Sequence, residues 1–115
     1  MIDLVRRIWA GIAEIARGRN RRLIVIRHVE DAPRKPKANV LYMIGYPAPW
    51  RAALLCPCGC ESVIHLSLLR NDSPRWRLAI SENGLPTLHP SVRRISGCRS
   101  HFFLVKGEVI WCDDE

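Results

Sequence analysis

The sequence predicts a mainly β (α+β) fold: a small β-sheet domain with an N-terminal amphipathic helix. Two observations carry this expectation. From residue 22 onward, short runs rich in Val, Ile, Leu, Tyr and Trp recur between clusters of Pro, Gly, Asn and Asp, the pattern of strands and turns. Apolar residues at helical spacing are confined to the beginning of the chain.

Residues 2–17 place Leu4, Ile8, Ile12 and Ile15 on one stripe, with Val5, Trp9 and Ala16 beside it. Arg6, Arg7, Glu14 and Arg17 fall largely on the other side, and Gly18 ends the pattern. The division expected is a helical segment over 1–20 and a β-rich domain over 21–115. The helix is expected to pack on the domain's own sheet; docking to a partner or a membrane surface is the alternative.

Strand signals follow at 22–29 ("RLIVIRHV"), 40–46 ("VLYMIGY") and 51–55 ("RAALL"). The run 62–69 alternates, with Val63, His65, Ser67 and Leu69 on one face and Ile64, Leu66 and Leu68 on the other. Further strands are expected at 75–81 and 85–89, around the turn "SENGL". "PSVRRIS" reads as one helical turn started by Pro90. Residues 101–111 read as a hairpin turning at Lys106-Gly107.

The chain has 115 residues, 48% of them hydrophobic, which fits one globular domain that would gain from a staple. Its five cysteines are an odd number, so a fully paired disulfide framework would leave one over. No run of about 18 apolar residues occurs, and the basic, Glu14-interrupted start is a poor signal peptide. A reducing, cytoplasmic setting is therefore expected, where cysteine clusters bind metals or do chemistry. The net charge of +7 is concentrated in the N-terminal half, without the interleaved aromatics of a base-stacking surface. It is read as a solvated face with no specific nucleic-acid site.

The stretch Leu55-Cys56-Pro57-Cys58-Gly59-Cys60 puts three thiols into five residues. Cys-x-Cys pairs are poor disulfide partners, because the bridge requires a separation and torsion that so short a loop meets only with strain. Zinc takes about four thiolate or imidazole ligands in a tetrahedron. The knuckle supplies up to three, with Pro57 stiffening it and Gly59 letting the backbone fold round an ion. "CRSH" adds Cys98 and His101 at Cys-x-x-His spacing. The metal set expected is Cys56, Cys58, Cys60 and Cys98, which leaves His101 for other work; His101 in place of one Cys is the alternative. Thiolates quench the Lewis acidity of zinc, so a structural ion is expected. Cys112 is read as a packed small residue.

The order "HVEDAP … LYMIGYPAPWRAALLCPCGCESVIHLSLL … PRWRLAI … TLHPSV … GCRSHFFLVKGEVIWC" resembles a bacterial family first catalogued as a domain of unknown function. That family includes the BubE-type peptidases of bacterial ubiquitination-like (Bub) operons. The resemblance runs from about residue 24 to 112 and implies a zinc-containing, peptidase-like hydrolase that processes or deconjugates a ubiquitin-like protein. It also implies E1-like and E2-like operon partners and a link to antiphage defence.

A serine peptidase requires a base within hydrogen-bond reach of the nucleophile. Within the shared motifs the base expected is His101 and the nucleophile Ser91, brought together by the "HPSV" turn. Ser100 is the substitute nucleophile or polar support. Neighbours on a strand point to opposite faces, so Ser100 would need His65 or His89 and not His101. Pro90-Ser91 at a helix start would expose N–H groups to an oxyanion, but the same dipeptide also reads as a plain helix cap. Asp31, Glu61 and Glu82 are open candidates for a third member. The rival reading is a non-catalytic, zinc-ribbon-like module that binds protein or nucleic acid.

Overall fold

The computed structural model describes residues 23–112. The helix expected over 2–17 lies outside them. The described residues form eight strands, with no helix among them. They fall into two four-stranded sheets, each with its strands in sequence order.

The first sheet holds β1 (Val25–Val29), β2 (Val40–Ile44), β3 (Arg51–Leu55) and β4 (Val63–Ser67). β1 pairs with β2 in parallel, and β2, β3 and β4 pair antiparallel. A parallel pair requires a crossover connection in place of a tight turn. The Pro- and Lys-containing segment 30–39 provides it, and the Lys37 N–H donates to the Tyr42 hydroxyl at 2.9 Å on the way.

The second sheet holds β5 (Arg77–Ile80), β6 (Pro86–Arg93), β7 (His101–Val105) and β8 (Glu108–Trp111), all antiparallel. The β7–β8 hairpin turns at Lys106-Gly107, as its sequence predicts. Both residues have positive φ (48° and 81°), which matches the two-residue turn that follows strand twist. Gly107 is also pressed against the chain entering the fold, since the Ile24 N–H donates to its carbonyl at 2.7 Å.

One apolar cluster joins the two sheets. Leu41, Ala52, Leu54, Ile64 and Leu66 of the first sheet meet Leu88, Val92, Phe102 and Leu104 of the second, all nearly or fully buried. The alternation read from 62–69 holds within β4, where Ile64 and Leu66 are buried and His65 is exposed. A sheet with one packed and one wet face requires such a pattern.

The helical turn expected at "PSVRRIS" is corrected: Pro90 to Arg93 belong to β6. Here tertiary pairing overrides a local start signal. Val92 and Arg93 stand opposite Phe102 and His101 on β7, and Val92 is buried in the core. Among the described residues, no helix N-terminus therefore faces Ser91.

Candidate functional site

Ser91 comes from an irregular stretch of β6 and His101 from the first position of β7. Leu88 pairs with Leu104, and Val92 with Phe102, so four residue steps along β6 are matched by only two along β7. The surplus forms a bulge at His89-Pro90-Ser91, with a cis peptide at His89-Pro90. Proline within a strand is tolerated at such places because it has no N–H to give the ladder. A bulge re-aims the side chains beside it. In regular register His101 faces Arg93, yet the bulge brings Ser91 Oγ to 2.9 Å from His101 Nε2.

Two bonds hold the backbone of this pair in place. The Trp76 indole N–H donates to the Ser91 carbonyl at 3.2 Å, so a partly buried core aromatic steadies the bulge. The Cys112 N–H donates to the His101 carbonyl at 2.9 Å, extending the β7–β8 ladder past Trp111. Both Ser91 and His101 are half-buried, reachable from solvent but not freely hydrated. With the imidazole proton on Nδ1, the serine hydroxyl donates to Nε2, the arrangement a general base requires.

The cysteines gather next to this pair. The Sγ atoms of Cys56, Cys58, Cys60 and Cys98 all lie within 4.8 Å of one another. Cys56 Sγ stands 3.3 Å from Cys58 Sγ and 3.6 Å from Cys98 Sγ. A tetrahedron of metal–sulfur bonds about 2.3 Å long has edges of roughly 3.8 Å, so the spacing fits one ion. These four cysteines could hold a metal ion; His101 is outside the group and bonded to Ser91. Cys112 is also outside it.

Local backbone chemistry shapes the knuckle. The Cys56 N–H donates to the Ser62 carbonyl at 2.8 Å, closing the loop, and the Gly59 N–H turns back to the Cys56 carbonyl at 3.2 Å. Gly59 takes φ of 91°, where a Cβ would be strained. Burial pushes the Cys56 thiol up to about 11. The Ser100 hydroxyl, 3.0 Å from Cys98 Sγ, is the main cause that brings Cys98 down to about 5. Hydrogen bonds from Ser62 lower Cys60.

Ser100 is therefore among the thiols. It is buried, with its Oγ also 3.3 Å from Cys56 Sγ. Its strand neighbour His101 faces Ser91, as the alternation of side chains requires. The other histidines lie elsewhere. His65 faces out from β4, lining a cleft with Trp50, Arg51 and Asp72, and burial and the nearby Arg51 charge lower its pKa. His89 stands opposite Arg77 on β5. His28 stacks on Tyr46 at 4.0 Å, and its Nε2 donates to the Gly45 carbonyl at 2.6 Å. Asp31 follows β1, Glu61 lies in the knuckle and Glu82 in the β5–β6 turn.

Two residues in this arrangement carry no sequence signal of their role. Trp76 reads as sheet packing, and its bond to Ser91 depends on the corner where its backbone N–H meets the Ser67 carbonyl at 2.8 Å. Arg94 reads as one of many basic residues, yet its guanidinium points at Cys60 and Cys98.

No curated protein and no solved structure matched the chain. A family model described as "Bacterial ubiquitination-like system serine protease (BubE)" matches residues 28–112 and spans every element named above except the start of β1. With most of its length covered by that match, the chain belongs to the family of serine proteases of bacterial ubiquitination-like systems.

Proposed function

We propose that the protein cleaves a ubiquitin-like protein, from a precursor or a conjugate, with Ser91 as nucleophile, His101 as general base and a zinc ion that is purely structural. The observation that carries this reading is the 2.9 Å contact between Ser91 Oγ and His101 Nε2.

In the acylation step His101 Nε2 takes the hydroxyl proton as Ser91 Oγ bonds to the carbonyl carbon of the scissile amide. The imidazolium then gives that proton to the leaving amine as the C–N bond breaks, leaving an ester on Ser91. Water, deprotonated by His101, attacks the ester. The acid departs and the proton returns to Ser91. The bulge holds Ser91 toward the base, and the Trp76 bond to its carbonyl limits its drift.

Zinc suits the donor set: four cysteine sulfurs within 4.8 Å of one another and no carboxylate among them. Cys56, Cys58, Cys60 and Cys98 would hold it, and the ion would supply cross-linking, not chemistry. It would tie the β3–β4 knuckle to the segment between β6 and β7. That segment runs from the strand bearing Ser91 to His101, so the clamp acts on both halves of the catalytic pair.

Partners would be the ubiquitin-like substrate and the activating and conjugating enzymes of the same system. The direct test uses a ubiquitin-like precursor encoded beside this gene. Ser91→Ala should abolish cleavage, by about 10³-fold or more, while metal content and melting temperature stay near wild type. Ser100→Ala should retain cleavage wherever it retains metal. Normal cleavage by Ser91→Ala would reject the serine assignment.

A further inference from the structure

Arg94 is the first residue after β6, and its Nη1 reaches two thiols at once. It lies 3.5 Å from Cys60 Sγ and 3.3 Å from Cys98 Sγ. Cys60 belongs to the β3–β4 knuckle and Cys98 to the segment between β6 and β7, so one guanidinium touches both halves of the ligand set. The backbone of Arg94 is engaged as well: its N–H donates to the Ser100 carbonyl at 2.8 Å. That bond closes the loop carrying Cys98, and the residue after Ser100 is His101.

Four thiolates around a divalent ion leave the site doubly negative, and three of these cysteines are exposed. Among the described residues the group contains no other ligand type that would lower this charge. A cation whose N–H bonds point at the sulfurs offsets it, because charge-assisted hydrogen bonds to a ligand are among the stronger polar contacts. Groups that hydrogen-bond to ligands also fix their orientation. A guanidinium suits this place better than an ammonium, since its planar fork offers several donors in fixed directions.

We propose that Arg94 is a positioning residue of the metal centre: it bridges Cys60 and Cys98 by N–H···S bonds, offsets thiolate charge, and so fixes the loop between Ser91 and His101. This rests on the four-cysteine metal reading above, and not on the identity of the nucleophile.

The test uses the full chain and two variants, Arg94→Gln and Arg94→Lys, loaded with Zn²⁺ or Co²⁺. Two readouts are independent of peptidase activity: metal affinity by chelator competition, and the sulfur-to-cobalt charge-transfer band. Arg94→Gln should weaken metal binding by about 10- to 100-fold, the range for loss of a group bonded to a ligand. Its band should move to lower energy, because sulfur lone pairs lose the bonds that stabilise them. Arg94→Lys keeps the charge but cannot hold both sulfurs in the same fork, so affinity and band should fall between the two. Wild-type affinity and an unmoved band in Arg94→Gln would overturn the proposal. Should Arg94→Gln fail to fold, Arg94→Lys decides alone, and a wild-type band with wild-type affinity overturns it. A wild-type chain that binds neither Zn²⁺ nor Co²⁺ would remove the metal reading and this proposal with it, while leaving the Ser91–His101 assignment standing.

Discussion

Replacing Cys98 by Ser should cost the domain its metal and most of its fold. Cys98 is the one member of the four-cysteine group from outside the knuckle, so with a metal bound there its loss would cut the link between the β3–β4 turn and the β6–β7 segment. Structural zinc contributes about 10–16 kcal/mol in small domains at neutral pH, whereas whole domains are stable by only about 5–15 kcal/mol. Even a third of the metal term would remove much of the available stability. At about 4–8 °C for each kcal/mol in a domain of this size, a loss of 4 kcal/mol predicts a fall in Tm of roughly 15–30 °C. The assay is thermal unfolding by circular dichroism, paired with elemental analysis of the same sample. A Cys98→Ser protein without metal that still melts cooperatively within about 5 °C of wild type, well short of that fall, would refute the stapling argument.

Other outcomes follow from the same structure. Metal affinity should rise with pH between about 5 and 11: Cys98 is already a thiolate above the lower value, while Cys56, held up to about 11 by burial, must give up a proton to bind. A pH-independent affinity measured by chelator competition from pH 6 to 8 would contradict this. Trp76→Phe keeps the ring but removes the bond to the Ser91 carbonyl; it should lower kcat more than it raises KM, at about 0.5–1.5 kcal/mol in stability. Phe102→Ala empties the centre of the core and should cost about 3–5 kcal/mol by denaturant titration. DNA or RNA binding should be weak and lost steeply with salt, as expected of a net charge of +7 without stacking aromatics. Binding that survives high salt would speak against it.

Much of this was legible in the sequence wherever one local rule governed. The alternating run at 62–69 and the Lys106-Gly107 hairpin follow strand periodicity and turn chemistry, and the strand Val63–Ser67 and the β7–β8 turn stand where those rules put them. The thiol cluster was legible because three of its four members fall within the one stretch Cys56-Pro57-Cys58-Gly59-Cys60. The opposite facing of Ser100 and His101 followed from strand geometry alone. The bulge at Pro90 was not legible. "PS" before "VRR" satisfies a helix start equally well, and only the pairing of Val92 and Arg93 with β7 decides for a strand. The parallel pairing of β1 with β2 was hidden for a similar reason, since both strands read alike in either direction. Arg94 was beyond reach because its role exists only once Cys60 and Cys98 have met in space.

The central claim is that Ser91 is a nucleophile activated by His101. A fluorophosphonate probe labels serine hydroxyls that a neighbouring base has activated, and peptide mass spectrometry locates the adduct. The labelling should fall on the peptide containing Ser91, vanish in Ser91→Ala, and drop by at least about 10²-fold in His101→Gln, the lower range for loss of a general base. Label on Ser100, or label on Ser91 at an unchanged rate in His101→Gln, would contradict it.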